Sequence, residues 1–334
     1  MQSFQILKND SEQRLDSFLK KLFPQASLSF IFKSIRTGKI KVITLDEQKT
    51  KQKPEYKLST WETVNVYLGE TEIQSLRENI KDNVVVSQDK KLHKKDIIFE
   101  DEYLLILNKN PGINVHPWDH KSEEVSLIEQ VQDYYAQKLD SLTFSPSLAH
   151  RIDRDTSWVI VIAKQKQALV QIVQDFKEKN ALKKMYFTVV IGKLSHQSWT
   201  IKKSLARREK AHNENKIHIS ESWQEAITHY KVLDEYILQL PEWEVTLSAV
   251  EVQIETGRMH QIRVHMAHIW NPILWDKTYW DKKLNSYFEK NYYIQRQMLH
   301  AWKLELMHPI KKKALKIQAP LKADMQKFID SIKK

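Results

Sequence analysis

The spacing of apolar and polar residues predicts a compact module at the start of the chain. Over residues 14–22 the apolar side chains recur at helical spacing and Pro24 follows them, which predicts a short amphipathic helix. A second helix is expected to begin after Ser27, a favourable N-cap residue, and to end at Gly38. Two alternating runs before residue 69 predict half-buried strands. We therefore expect a small α/β domain over residues 12–68.

The rest of the chain carries short apolar runs that are typical of strands. Residues 69–93 are polar, mixed in charge and weakly periodic, which predicts a linker. Beyond it, strand-like runs occur at residues 103–107, 159–163, 186–191 and 245–254, with a helical pattern at 166–178. This succession predicts an α+β fold over residues 94–334, in which a mixed sheet carries peripheral helices.

Composition narrows the class of protein. The net charge of +11 favours a polyanionic partner such as RNA, although a lysine-rich enzyme with no nucleic-acid role would have the same charge. The absence of cysteine excludes disulfide scaffolds, thiolate zinc sites and cysteine nucleophiles. No apolar stretch has the length of a membrane span, and the polar first residues lack the apolar core of a secretory signal. A cytoplasmic protein is expected.

Three segments could carry chemistry. The sequence HRIDRDTS, residues 150–157, places Asp153 between two arginines that favour an ionised, nucleophilic carboxylate. A solvated turn with ion pairs would have the same sequence pattern. After Gly257 a helix rich in planar donors suits phosphates and base edges better than a metal, because its histidines lack metal-site spacing. Tyr186 opens a strand and could stack on a base or simply pack on its neighbours.

In their amino-acid sequences and in their order along the chain, these segments resemble motifs of the RluA/RluC/RluD family of pseudouridine synthases, most closely those of the RluC branch. The resemblance covers nearly the whole chain. It is carried by five segments: LNKNPGINVHP (107–117), HRIDRDTS (150–157), KKMYFTVVIG (183–192), TGRMHQIRVHMA (256–267) and LHAWKLELMHP (299–309). Asn110 departs from the family pattern, which has proline there. The resemblance implies a largely antiparallel sheet in the catalytic domain and an S-four-like RNA-binding domain before it.

The resemblance also implies roles for individual residues. Asp153 would attack a flipped uridine, at either the sugar carbon or the ring, and the base would rotate and rejoin through carbon 5 without any cofactor or metal. Tyr186 would stack on the base and relay the proton that leaves carbon 5, while Arg263 would pair with Asp153. Arg151 would fill the gap left by the flipped nucleotide.

Further residues would contact the substrate, which the resemblance implies to be structured RNA, in particular large-subunit ribosomal RNA. In the catalytic domain the expected contacts are His150, Arg258, His260 and Gln261. In the N-terminal domain Lys33, Arg36 and Lys39 would contact phosphates. We expect a monomer without membrane association. The competing hypothesis is a noncatalytic RNA-binding or ribosome-assembly factor that uses the same basic surfaces.

Glycine is scarce and tryptophan abundant: the chain has 5 glycines and 10 tryptophans. Eight of the tryptophans stand where the family pattern has glycine: Trp61, Trp118, Trp158, Trp199, Trp223, Trp270, Trp275 and Trp280. We hypothesise that the source genome reads UGA as glycine and that these positions were translated with a table that assigns UGA to tryptophan. A decayed gene is the alternative, but it predicts damage in the catalytic motifs, which are intact.

Overall fold

The chain forms two compact units. The computed structural model describes residues 1–77, 87, 90–117, 124–136, 138–139, 141–178, 182–207, 216–221, 223–241, 243–280 and 282–333. The first unit comprises Met1–Leu92, Ile128–Ser147 and Ala163–Gln167, and the second comprises His93–Leu127, Leu148–Ile162 and Ala168–Lys334.

The first unit contains a four-stranded sheet backed by helices. Its elements in residues 1–77 are β1 (Gln2–Gln5), α1 (Leu15–Leu22), α2 (Leu28–Arg36), β2 (Ile40–Ile43), β3 (Lys49–Thr50), β4 (Thr63–Val66) and α3 (Glu70–Arg77). The strands pair antiparallel in the order β1-β4-β2-β3. As expected, the hydroxyl of Ser27 caps α2 by accepting a 3.1 Å hydrogen bond from the backbone N–H of Phe30. Gly38, just after α2, has a φ of 78°.

Two features of this unit go beyond the sequence expectation. The segment expected to be a linker begins with α3, whose Ile73 is buried in the same apolar cluster as the sheet. The fully buried carboxylate of Asp10 accepts hydrogen bonds from Ser141, Leu142 and Thr143, which fasten this distant segment to the N-terminal residues. The expected domain limits of 12–68 and 94–334 stay a prediction.

The second unit is built on a large sheet. Its strands are β5 (Ile97–Glu100), β6 (Leu104–Lys109), β7 (Ser147–Leu148), β8 (Ser157–Ala163), β9 (Lys183–Ile191), β10 (Ser198–Lys202), β11 (Ser204–Arg207), β12 (Ile217–Ser220), β13 (Ile227–Gln239), β14 (Glu244–Ile254), β15 (Leu299–Met307) and β16 (Ala314–Gln318). Its helices are α5 (Lys166–Glu178), whose first two residues belong to the first unit, α6 (Gln261–His268), α7 (Lys282–Tyr292) and α8 (Ala323–Ile332). The helix α4 (Leu127–Tyr135) belongs to the first unit except for Leu127.

The strand order confirms the expected mixed, largely antiparallel sheet. The main path is β10-β13-β14-β9-β15-β8-β6-β5, with β16 added to β15 and β7 added to β8, while β11 and β12 form a separate hairpin. Six neighbouring pairs with assigned registers are antiparallel, and β15 runs parallel to β8 with His300 beside Ser157. This parallel contact fixes the start of β8, directly after the loop that carries Asp153. No helix among the described residues is long and apolar enough to cross a membrane.

Several tryptophans have an unusual backbone. Trp61, Trp270 and Trp275 have φ angles of 76°, 66° and 62°, in the left-handed region that glycine adopts most easily. Trp199 differs, because it lies inside β10 and stacks on His196 with ring centroids 4.6 Å apart. Trp118 lies outside the described residues.

Candidate active site

The loop that carries Asp153 runs from β7 into β8 and is tied down at its end. Gln297 donates a 2.9 Å hydrogen bond to the hydroxyl of Thr156, and the next residue, Ser157, is hydrogen-bonded through its hydroxyl to His300 at 2.8 Å. The side chain of Asp153 is 24% exposed. The carboxylate is therefore presented to solvent from a rigid support.

Lys109 holds the same loop from a second side. Its ammonium is buried and donates hydrogen bonds of 2.8, 2.9 and 2.8 Å to the carbonyls of Asn110, Ile113 and Arg154. The backbone N–H of Gly112 donates to the same Arg154 carbonyl at 3.0 Å. Burial lowers the pKa of Lys109 to about 7. The peptide that follows Arg154, the residue next to Asp153, is thus fixed by two donors.

Arg263 joins two carboxylates. This side chain, on α6 and only 7% exposed, donates from Nη1 to Asp153 at 3.1 Å. Its Nε and Nη2 donate to the two oxygens of Asp276 at 2.7 and 2.8 Å. Burial by itself would lower the pKa of the guanidinium, but the hydrogen bonds and charge of Asp276, aided by Asp153, raise it. The expected pairing of Arg263 with Asp153 is present in the structure.

His260 lies beside this pair in a strained backbone conformation. Its φ is 54° immediately before α6, and its Nδ1 is 2.9 Å from the hydroxyl of Tyr279. Its Nε2 is 3.8 Å from the carboxylate of Asp153. Burial lowers the pKa of His260, while the charge of Asp153 opposes this effect. A neutral imidazole therefore borders the carboxylate at neutral pH. Non-glycine residues at positive φ are often found at functional sites.

Tyr186 enters the same site from β9, where it pairs with Val252 of β14 and Ala301 of β15. Its side chain is buried. Burial raises the pKa of the phenol, and the negative charge of Asp153 raises it further. The hydroxyl therefore stays protonated at neutral pH.

The other predicted contacts in this unit differ in their positions. Arg151 and Arg258 are exposed. The ring of His150 accepts a 3.1 Å hydrogen bond from the backbone N–H of Val161 and packs against Phe176 with ring centroids 4.9 Å apart. His150 thus anchors the loop to β8, and this geometry gives no support to its predicted contact with substrate.

Gln261 is an internal brace rather than a surface residue. It is buried, and its amide nitrogen donates to the Ile227 carbonyl and the Thr228 hydroxyl, both at 3.0 Å. Its oxygen accepts hydrogen bonds from the Thr256 hydroxyl and the Arg258 backbone N–H at 2.7 and 3.1 Å. The predicted contact of Gln261 with substrate therefore finds no support here, because its amide is already hydrogen-bonded within the protein.

The predicted phosphate contacts lie in the first unit. Lys33 and Arg36 are exposed in the last turn of α2, and Lys39 is exposed just before β2. Across the described ranges, no cluster of three or more histidine, aspartate or glutamate side chains could hold a metal ion.

Residues 276–279 were not predicted to contribute to the site. Asp276 is fully buried and Thr278 accepts a 3.0 Å hydrogen bond from Arg263, while the ring of Tyr279 lies 5.1 Å from the guanidinium. The sequence carried one sign of this role, an acidic residue directly after the apolar run Ile273–Trp275. A carboxylate buried at the end of such a run requires a cationic partner. Lys109 carried a similar signal at the end of an apolar strand.

Comparison with known proteins agrees with this geometry. The profile of the RNA pseudouridylate synthase family matches residues 103–268, which include Asp153, Tyr186 and Arg263. A ribosomal large subunit pseudouridine synthase C of Buchnera aphidicola subsp. Baizongia pistaciae is 33% identical over 95% of this chain and 92% of its own length. The chain belongs to the RNA pseudouridylate synthase family. It is therefore an isomerase that converts uridine to pseudouridine in RNA.

Other members of the pseudouridylate synthase family support the same assignment. The ribosomal large subunit pseudouridine synthase C of Vibrio cholerae is 29% identical over 96% of this chain and 93% of its own length. Among solved structures, human RNA pseudouridylate synthase domain containing 4 aligns with a TM-score of 0.56 at 21% identity, covering 72% of this chain and 93% of that one. This structural likeness confirms the fold.

Proposed function

We propose that this pseudouridine synthase modifies specific uridines of large-subunit ribosomal RNA, with Asp153 as its nucleophile. The observation that carries the catalytic part is the partly exposed Asp153 carboxylate held 3.1 Å from the buried Arg263. The substrate part rests on relatives that are named for the large ribosomal subunit and match this chain over nearly its full length. The proposal keeps the cytoplasmic location expected from the sequence.

The chemistry needs few groups. The bond between N1 of uracil and the ribose breaks, the freed base turns within the site, and carbon 5 bonds to the ribose in its place. Carbon 5 loses a proton and N1 gains one, so no oxidant or cofactor is consumed. Asp153 supplies the attacking oxygen, whether at the sugar or at the ring, and Arg263 orients the carboxylate through its 3.1 Å hydrogen bond.

In this proposal Tyr186 contacts the flipped base, and the exposed Arg151 fills the space that the base leaves. The target base must leave its stack to reach Asp153, and Tyr186 offers an aromatic surface beside the carboxylate. Because its hydroxyl stays protonated at neutral pH, it acts as a neutral phenol that can exchange a proton with the rotating base. Arg151, exposed two residues before Asp153, occupies the space from which the nucleotide is withdrawn.

We assign the basic residues of the N-terminal domain to RNA binding and not to the chemical step. Lys33, Arg36 and Lys39 form an exposed cationic surface on one helix and the turn after it. Such side chains contact phosphates and position a protein on RNA without reading sequence. We therefore assign the S-four-like domain expected over residues 12–68 to substrate binding.

Asp153→Asn tests the proposal. We expect the purified variant to bind large-subunit RNA like the wild type but to form no pseudouridine, a loss of at least about a thousandfold in single-turnover rate. The matched control is Asp155→Asn, an exposed carboxylate of the same loop, which should keep the wild-type rate. Wild-type activity in Asp153→Asn would defeat the assigned nucleophile. A wild-type protein that binds the RNA and never modifies it would favour the noncatalytic assembly factor.

A further inference from the structure

Asp276 is the best-connected side chain of the site that has no role in the proposed chemistry. Its carboxylate is fully buried and receives both Nε and Nη2 of Arg263. The backbone N–H groups of Thr278 and Tyr279 also donate to it, at 2.9 and 3.1 Å. Four donors therefore fix both its position and its plane.

We propose that Asp276 is a positioning residue that sets the orientation of Arg263 toward Asp153. A guanidinium is planar and presents its donors as a rigid fork, so binding one edge determines where the remaining N–H groups point. The edge formed by Nε and Nη2 is taken by Asp276, which leaves Nη1 for Asp153 at 3.1 Å.

The two carboxylates would otherwise compete. Without Asp276, the fork of Arg263 could turn and take both oxygens of Asp153, the bidentate arrangement that arginine favours. One oxygen of the nucleophile would then be less available for attack. Thr278, whose hydroxyl accepts from Nη2 at 3.0 Å, restrains the same edge. Asp276 thus acts on the reaction only through Arg263.

Asp276→Asn is the first test, because it keeps the shape of the side chain. We expect kcat to fall about 10- to 100-fold with little change in KM, since misplacing a catalytic group by about 1 Å costs roughly 100-fold. Asp276→Glu should recover part of kcat.

A second comparison separates positioning from general stability. Asp101→Asn removes another largely buried carboxylate, one bonded to Lys311 and His308, and should lower the unfolding midpoint without changing kcat. In an Arg263→Lys background, Asp276→Asn should have no further effect on kcat, whereas a purely structural role would add its full effect. Wild-type kcat in Asp276→Asn, or additive effects in the double variant, would overturn the inference.

This inference rests on the proposed role of Asp153, and the two can fail separately. Activity in Asp153→Asn, assayed in parallel, would defeat the nucleophile. The cycle between Asp276 and Arg263 would still report whether one residue acts through the other.

A different observation carries a second inference, on the three tryptophans with positive φ. We propose that Trp61, Trp270 and Trp275 are glycine in the protein as the source cell makes it. Trp61 and Trp270 are 64% and 86% exposed, so their side chains gain little burial to offset a left-handed backbone. Trp275 is buried in an apolar cluster, so for this residue the left-handed backbone is the observation that supports glycine.

Three of the five glycines that the chain retains have the same left-handed backbone. Gly38, Gly112 and Gly192 all have φ angles between 78° and 87°. A side chain at Gly192 would also place its Cβ 2.9 Å from the amide of Asn271. Trp61, Trp270 and Trp275, with φ angles of 62° to 76°, lie closer to these glycines than the other described non-glycine residues with positive φ, which lie between 51° and 60°.

Sequencing the codons of the gene and measuring peptide masses of the native protein test this inference. We expect UGA at the three positions and native peptide masses that contain glycine; UGG codons or tryptophan masses would overturn it. In recombinant protein, replacing the exposed Trp61 and Trp270 together by glycine should raise the thermal midpoint by about 3 °C or more. Trp302→Gly is the matched control and should lower the midpoint, because Trp302 lies in β15 and packs on Phe187 at 5.7 Å.

Discussion

The buried ammonium of Lys109 stabilises the loop that carries Asp153. Replacing it by methionine would leave the carbonyls of Asn110 and Ile113 without their ammonium donor, while the Arg154 carbonyl would keep the N–H of Gly112. Each buried group left unpaired costs about 1 to 3 kcal/mol. We expect Lys109→Met to lower the free energy of unfolding by about 2 to 4 kcal/mol, measured by urea denaturation, and to reduce kcat because the Asp153 loop loosens.

Lys184→Met provides the comparison, because that lysine packs its ammonium 4.1 Å from the ring of Phe176. Its loss should cost less than about 1 kcal/mol. An equal cost in both variants would mean that the carbonyl contacts of Lys109 are not what stabilises the loop.

The same lysine gives a dependence of stability on pH. Burial lowers the pKa of Lys109 from 10.5 in the unfolded chain to about 7 in the folded protein. Between these values the unfolded state binds more protons, so this group makes folding more favourable as pH rises. The stability of the wild type relative to Lys109→Met should therefore increase from pH 7 to pH 10. A difference that is constant or shrinks over this range would contradict the assigned shift.

The pairing of Asp153 with Arg263 was expected from the family resemblance, whereas no sequence pattern indicated that Arg263 also binds Asp276. Asp153 stands between two arginines in the sequence, and the structure places its carboxylate beside Arg263 as expected. Asp276 is 13 positions from Arg263, and nothing in the spacing shows that the two side chains meet. His150 and Gln261 have the residue types of RNA contacts, but Nε2 of His150 accepts from the backbone N–H of Val161 and the amide of Gln261 is hydrogen-bonded within the protein. Their contacts with substrate stay predictions.

Among the secondary-structure elements, those with strong periodicity were predicted well. The helical pattern at 166–178 and the strand-like run at 159–163 agree closely with α5 (Lys166–Glu178) and β8 (Ser157–Ala163). Strands such as β10 and β11 were missed, because short segments with half-exposed faces lack a continuous apolar run. The attachment of residues 141–143 to Asp10 depends on hydrogen bonds across more than 130 positions, which no local pattern reveals.

The cationic surface formed by α2 and the turn after it is predicted to bind RNA. Removing three exposed positive charges should weaken RNA binding and reduce the slope of log affinity against log salt by about 3, roughly one per phosphate contact. The rate at saturating RNA should stay unchanged. The variant combines Lys33→Ala, Arg36→Ala and Lys39→Ala.

A control with the same change in net charge makes this result specific. It replaces three exposed lysines of the second unit, Lys316, Lys327 and Lys333, by alanine. If both triple variants lose affinity and salt dependence equally, net charge rather than the surface of α2 would account for binding.

For the whole molecule, a net charge of +11 is consistent with a polyanionic substrate, and family membership identifies that substrate as RNA. The monomer expected from the sequence stays a prediction that sedimentation in solution can check. The chain of 334 residues divides into two compact units whose segments alternate along the sequence, and the domain limits expected from the sequence stay a prediction.

The most direct test of the proposed function is pseudouridine mapping of large-subunit ribosomal RNA in source cells with and without the gene. We predict that at least one pseudouridine disappears when the gene is removed. It should return with the wild-type gene but not with a gene that encodes Asp153→Asn. An unchanged map after removal of the gene would contradict the proposed substrate, and restoration by Asp153→Asn would contradict the proposed nucleophile.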